Sequence, residues 1–248
     1  MKIALVLNDD FSMWHFRKGL ISALVNKGHL VYVITPAGPY VSKIESLGAK
    51  HIAIPMYRFV SPFADCLLLI RFYSVFMRRK FDIVNTMTIK PNIYGTIAAR
   101  LAGVPKTVGL VSGLGFIFQD KLGFSLRITK PFVLFFYRIA CYLSYRVWFQ
   151  NSDDKEYFVK HKIIKEEKAL VIKSGGIDLY EYTMSKIEQE RIITLRKEIG
   201  FDNSKVIVTM ITARLIWPKG VREFIEASKA KALSGINAGK SLRVVMLL

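Results

Sequence analysis

Apolar residues fall along this chain in two alternating rhythms. Residues 3–7, 30–35, 51–55, 82–86, 107–111, 146–150 and 169–172 form short, β-branched runs that are largely apolar at consecutive positions. Such runs mark strands covered on both faces. Between them, residues 16–27, 40–47, 63–77 and 92–101 repeat apolar side chains at helical spacing, as do a long stretch ending at Tyr142 and a segment starting at Ser152. The punctuation agrees. Pro36 closes the second run, Gly48 and Gly103 stand just past helical segments, and Asn151-Ser152-Asp153-Asp154 supplies good capping residues. Residues 1–173 therefore predict an α/β, doubly wound domain, with a mostly parallel sheet and helices on both faces.

The pattern changes after Lys173. Ser174-Gly175-Gly176-Ile177-Asp178 reads as a hinge, and residues 174–204 as hinge and polar linker helix. Strand and helix patterning then restarts, with strands at 206–213 and 242–248 around a helix at 221–230. Two strands and one helix cannot bury both faces of a parallel sheet. Residues 205–248 are expected to be the incomplete start of a second domain.

Composition narrows the function classes. Apolar residues make up 52% of the 248 and charged residues 23%, which excludes a disordered chain. The net charge of +18 is unevenly spread. Residues 1–150 hold 19 Lys/Arg against 6 Asp/Glu, and residues 151–248 hold 18 against 13, giving +13 and +5. Nucleic acid, anionic lipid and phosphorylated substrates are all partners for such a surface. No recognition helix, RNA-binding sheet or zinc module is legible, so no nucleic-acid partner is expected. Cys66 and Cys141 both lie in apolar helical stretches and are expected as buried, reduced thiols. The opening apolar run of five residues meets Asp9 and Asp10, too short for a signal peptide. Residues 124–149 are interrupted by four cations and fall short of the ~20 apolar residues a spanning helix needs. A cytoplasmic protein is expected, peripheral on the inner face of the membrane.

In open α/β sheets ligands gather beyond the carboxyl ends of the strands. After the first strand stand Asn8, Asp9 and Asp10, with Arg17 in the following helix; no GxGxxG is present, which argues against a dinucleotide oxidoreductase. The free N–H groups of that helix could meet an anion, or the loop and Arg17 could be solvated surface. After the fourth strand, Lys90 is either a phosphate or acceptor contact or an exposed lysine. After the fifth, Ser112 and Gly113 give a hydroxyl and close backbone approach to a ligand, or a plain turn. In the second segment Arg214 and Lys219 stand five residues apart, between a strand and a helix entry, where they could grip a diphosphate.

These residues carry a resemblance. Arg214-x4-Lys219-Gly220 resembles the donor-phosphate motif of family 4 (group 1) retaining glycosyltransferases, which have the GT-B fold. Lys90-Pro91-Asn92-Ile93-Tyr94-Gly95, Ala102-Gly103-Val104-Pro105, Ser112-Gly113-Leu114-Gly115 and Gly176-Ile177-Asp178 resemble that family's pattern in the same order. The resemblance implies two Rossmann-like domains around a cleft, an acceptor-binding first domain and a nucleotide-sugar-binding second one. It implies sugar transfer from a nucleotide-sugar, expected to be a UDP-sugar, to a polyprenyl-diphosphate-linked or glycan acceptor in bacterial surface glycan synthesis. No cofactor and no metal are expected. Arg214 and Lys219 would hold the donor diphosphate; Asn8, Arg17, Lys90, Ser112 and Gly113 would lie on the cleft or acceptor side; no general base is singled out.

The family's Glu-x7-Glu motif belongs downstream of residue 248. The chain as written is expected to be C-terminally truncated and inactive by itself. The alternative is a non-catalytic remnant acting as a membrane- or partner-binding module. Residues 63–80 and 124–149 mix aromatics with Arg and Lys, so they either fill the core or also lie against an anionic membrane surface.

Overall fold

A computed structural model describes residues 1–57, 61–113, 124–173, 176, 179, 183, 187–200, 205–212, 217–229 and 241–247. The chain divides into two compact units, Met1–Gly176 and Ile177–Leu248.

The first unit runs β1 (Lys2–Val6), α1 (Asp10–Asn26), β2 (Leu30–Thr35), α2 (Val41–Glu45), β3 (Lys50–Ala53), α3 (Pro62–Arg79) and β4 (Ile83–Met87). A π-helical turn, Pro91–Gly95, leads into α4 (Thr96–Leu101). Then come β5 (Lys106–Val111), α5 (Phe124–Leu143), β6 (Arg146–Phe149), α6 (Ser152–Lys160) and β7 (Ala169–Val171). All strands pair in parallel, in the order β3-β2-β1-β4-β5-β6-β7.

Each central strand feeds two cores. Ile3 and Leu5 of β1 and Leu7 just after it join Val31 and Val33 of β2 under Met13, Ile21 and Ile44 of α1 and α2. The alternate residues Ala4, Val6, Tyr32 and Ile34 meet Leu68, Phe72 and Phe76 of α3 on the opposite face. Side chains alternate across a strand, so unbroken apolar runs are what a sheet covered on both faces requires. Phe72 and Phe76 are fully buried and stack with ring centroids 5.7 Å apart; such burial contributes about 1.5–3 kcal/mol per ring. Farther along the same face, Phe149 of β6 packs edge-on against Phe158 of α6 at 5.1 Å.

Several elements differ from the sequence pattern. The helix expected from residue 16 begins at Asp10, because Asp9 accepts a 2.6 Å hydrogen bond from the Ser12 N–H and caps the helix one and a half turns before the apolar stripe becomes visible. The helix expected at 92–101 is a π-helical turn followed by a short α-helix. It ends as expected at Gly103, whose φ of +74° suits glycine, with the Val104 N–H returning to the Ala99 carbonyl at 2.9 Å. Asn151 caps α6 through a 2.7 Å bond from the Asp154 N–H. Cys141 is buried, but Cys66 is exposed. The inward stripe of α3 is Asp65, Leu68, Phe72 and Phe76, and Cys66 falls off it.

In the second unit, α7 (Gln189–Glu198) precedes β8 (Lys205–Ile211), a 3-10 turn (Trp217–Lys219), α8 (Val221–Lys229) and β9 (Ser241–Leu247). β8 and β9 pair in parallel from Lys205↔Ser241 to Ile211↔Leu247, so α8 lies within a crossover connection.

Candidate functional site

The chain runs outward from β1 to β3, then crosses back to β4 on the other side of β1. This reversal opens a crevice between the carboxyl ends of β1 and β4, the place where open α/β sheets bind ligands. Register fixes what stands there. Val6 pairs with Thr86, so Asn8 and Thr88 each lie two residues past a paired position. Met87 pairs with Leu110, so Ser112 and Gly113 follow two and three residues past theirs on β5. Asn8, Thr88 and Ser112 thus line one rim across three neighbouring strands, about 10 Å wide at the usual strand spacing.

The rim carries unmet polar groups. Asn8 Oδ1 and Thr88 Oγ1 are buried and have no hydrogen-bond partner. Thr88 also has φ +70°, a left-handed conformation that a β-branched residue adopts only at a cost of about 1–3 kcal/mol. Ser112 and Gly113 are exposed at the end of β5.

Arg17 is not the surface residue that one reading allowed. It lies on the inward stripe of α1 between Met13 and Ile21 and is 7% exposed. Its Nη1 donates to the Phe16 carbonyl at 3.2 Å, while its Nε is buried without a partner. Among the described residues it pairs with no carboxylate. Burial pulls its pKa below the ordinary guanidinium value. A cation desolvated in this way is costly unless an anion meets it.

The start of α1 is closed to the anion considered for it. Asp9 occupies the cap, and buried Asp10 accepts the Tyr40 N–H at 2.8 Å. Two carboxylates already complement this helix dipole. Asp10 also fills the space beside Gly38, where a methyl group would overlap its carboxylate.

Lys90 is likewise not the exposed lysine that the alternative held. Its ammonium is bonded to the carboxylate of Asp65 on α3, with side chains 13% and 6% exposed. Asp65 Oδ2 also accepts the Ser61 N–H at 3.2 Å. The Tyr94 hydroxyl bonds to Asp65 as well, and burial first, then this carboxylate, pushes the Tyr94 pKa up. Two residues before Tyr94, Asn92 donates from Nδ2 to the Leu110 carbonyl at 2.7 Å and to the Tyr137 hydroxyl at 3.0 Å. A side chain at Gly95 would press on Thr86. The 90–95 segment is thus turned inward, tying α3, β4, β5 and α5 together below the rim. Asp65, Thr88 and Tyr94 were not singled out from sequence. One signal was available: Asp65 is the single carboxylate in α3, in phase with Leu68, Phe72 and Phe76.

In the second unit, Lys219 is exposed in the 3-10 turn entering α8, and Gly220 behind it has φ +81°. Arg214 lies outside the described residues. Among the described residues, no group of three His, Cys, Asp or Glu could hold a metal ion, and no helix is long and apolar enough to cross a membrane.

Residues 2–151 match the family profile described as glycosyl transferase 4-like. The chain belongs to the glycosyl transferase 4-like family. This family member is 31% identical over 229 residues to the N,N'-diacetylbacillosaminyl-diphospho-undecaprenol alpha-1,3-N-acetylgalactosaminyltransferase of Campylobacter jejuni, covering 92% of this chain and 60% of that protein. It is 28% identical over 194 residues to the UDP-Gal:alpha-D-GlcNAc-diphosphoundecaprenol alpha-1,3-galactosyltransferase of Escherichia coli, covering 78% and 47%. The crystal structure of a glycosyltransferase from Rickettsia africae superposes with a TM-score of 0.67 at 16% identity, covering 99% of this chain and 59% of that one. That likeness establishes the fold, an α/β fold of the GT-B type. This chain spans about half to three fifths of the length of these proteins.

Proposed function

We propose that this glycosyl transferase 4-like chain takes part in moving a sugar from a UDP-sugar to a polyprenyl-diphosphate-linked acceptor, at the inner face of the cell membrane, during bacterial surface glycan synthesis. The observation that carries the acceptor half is Arg17, a buried cation with an unpartnered Nε on the helix that rises from the β1–β4 switch point. A substrate diphosphate supplies the anion that the described residues do not. Asn8, Thr88 and Ser112 at the adjoining rim offer an acceptor oxygen and two hydroxyls to a sugar ring, which needs both. The relatives support this class: both are named for a diphospho-undecaprenol acceptor, and one for UDP-Gal as donor.

On the donor side, Lys219 with Arg214 would neutralise the diphosphate of the nucleotide-sugar, stabilising the charge that grows on the departing nucleotide. Two fixed cations can serve that purpose without a metal ion. Lys90 acts indirectly in this scheme, since its charge is already met by Asp65.

The test is equilibrium binding of a short-chain polyprenyl-diphosphate-linked sugar to the chain, beside the same compound with its diphosphate removed. The diphosphate form is expected to bind about tenfold or more tightly, the scale of one well-placed charge-assisted contact. Equal binding of the two forms would overturn the acceptor reading. Acceptor binding without transfer from any UDP-sugar would assign this polypeptide the role of a binding module.

A further inference from the structure

Three aromatic rings gather at the carboxyl end of the sheet without joining a core. Phe11 and His15 stand one turn apart on α1, and Tyr40 immediately precedes α2. Their ring centroids are 4.3 Å apart for Phe11 and His15, 5.5 Å for Phe11 and Tyr40, and 5.1 Å for His15 and Tyr40. None belongs to the three buried clusters of the first unit. Phe11 is 50% exposed and His15 is exposed, whereas the core rings of Phe72 and Phe76 are fully buried. One exposed ring needs no explanation; a joined cluster left in water does.

Polar bonds, rather than burial, set the cluster in place. The Asp10 carboxylate accepts the Tyr40 N–H at 2.8 Å and closes on Gly38, so the loop that carries Tyr40 is tied to the first turn of α1. Asp9 caps the same turn. The Lys43 ammonium lies 5.3 Å from the centroid of the Tyr40 ring. A surface fixed in this way loses little freedom when a ligand settles on it. Its place and chemistry name that ligand. Phe11 follows Asn8 by three residues, so their Cα atoms are at most about 10 Å apart. The buried, unpartnered Oδ1 of Asn8 marks the near rim of the β1–β4 crevice. A ligand reaching both must offer an apolar face to the ring and hydroxyl groups at its edge. A pyranose is divided in this way, with C–H groups on its faces and hydroxyls around its rim. An acyl chain would instead leave an imidazole, a phenol hydroxyl and an ammonium against hydrocarbon, which is costly.

We propose that Phe11, His15 and Tyr40 form a shelf for the sugar ring of the acceptor, and that Phe11 is the residue that selects for it. Phe11 meets the C–H face of the ring, while the His15 imidazole and the Tyr40 hydroxyl orient its hydroxyls. The proposal rests on the acceptor reading above and divides that acceptor between two contacts. Arg17 answers the diphosphate, which every acceptor of the class carries. The shelf answers the sugar, the part in which acceptors differ, so it sets specificity where Arg17 sets affinity.

The experiment has two readouts on the full chain. The first is saturation-transfer NMR with a methyl glycoside of N-acetylglucosamine, the sugar in the name of the Escherichia coli relative's acceptor. Transfer to the hydrogens of one ring face is expected with the parent, lost in Phe11→Leu and restored in Phe11→Tyr. Phe11 is half exposed, so both variants should melt with the parent, which excludes misfolding as the cause. The second is equilibrium binding of a short-chain polyprenyl-diphosphate-linked N-acetylglucosamine beside the same polyprenyl diphosphate without its sugar. The sugar-bearing compound should bind about fivefold to tenfold more tightly, and Phe11→Leu should remove that difference without changing the affinity of the sugar-free one. No transfer to the glycoside with the parent, or equal transfer with Phe11→Leu, overturns the proposal. So does an equal loss of both diphosphate compounds in Phe11→Leu, or transfer to uridine that matches the glycoside and disappears with it, because a flat base would then be the occupant. If neither diphosphate compound binds while the glycoside signal still depends on Phe11, the shelf stands and the acceptor reading fails.

Discussion

The ammonium of Lys90 is bonded to the carboxylate of Asp65, joining the segment that leaves β4 to the first turn of α3 across 25 residues of chain. Both side chains are largely withdrawn from water, and the carboxylate further accepts from the Ser61 N–H and from Tyr94. Neither charge is tolerable there without the other. The pair fixes the loop that carries Thr88, so it acts on the crevice by holding its wall rather than by touching a ligand.

Removing one member of this pair should therefore cost more than removing both. Asp65→Ala strands the Lys90 ammonium and is expected to destabilise the first unit by about 3–5 kcal/mol. Asp65→Ala/Lys90→Met should recover a large part of that loss. Urea denaturation of the two single variants and the double variant measures the coupling; simple additivity would show that the pair contributes nothing specific.

Arg17 predicts the opposite trade. It is a desolvated cation that no carboxylate meets among the described residues, so Arg17→Met should leave the melting temperature unchanged or raise it. Binding of the diphosphate-linked acceptor should fall about tenfold to a hundredfold. A variant that loses stability and keeps its affinity would make Arg17 a structural residue.

Lys219 is exposed at the entry to α8, and its loss should not disturb folding. Lys219→Met is expected to weaken UDP-sugar binding about tenfold with an unchanged denaturation midpoint, as measured by calorimetric titration beside urea unfolding. Unchanged affinity would remove it from the donor site.

The two thiols should separate cleanly. Cys66 is exposed, whereas burial pushes Cys141 up to about 12 from an ordinary 9.0. One thiol per native chain should react with a colorimetric disulfide reagent near pH 8, and Cys66→Ser should abolish that reaction; the second thiol should appear only in denaturant. A folded-state value above the unfolded one stabilises the fold below pH 9, and that contribution is lost as pH rises toward 12. Cys141→Ala should flatten this alkaline loss. Two reactive thiols in the native chain would contradict the burial.

Much of this protein is legible without its structure. Unbroken β-branched runs separated by helical stripes carry the parallel doubly wound class, because a strand buried on both faces has no polar side to show. The order of short motifs, from Lys90 through Gly176 to Lys219, points to the family to which residues 2–151 belong. Gly103 and Asn151 mark helix ends because local backbone geometry depends on a few neighbouring residues.

What the sequence could not decide is which way a given polar side chain turns. Asp65 and Cys66 are neighbours in one apolar helix, yet the first is sealed against Lys90 and the second is open to water. Arg17 and Lys90 look alike on paper as cations near strand ends. The fold gives Lys90 a carboxylate and, among the described residues, gives Arg17 none. Helical phase and distant partners settle such cases, and both are properties of the packed molecule. By itself the sequence determined the rhythm of strands and helices, the basic charge and the family; the tertiary structure alone decided which charges are met by a carboxylate among the described residues, because that balance depends on contacts between residues far apart in the chain.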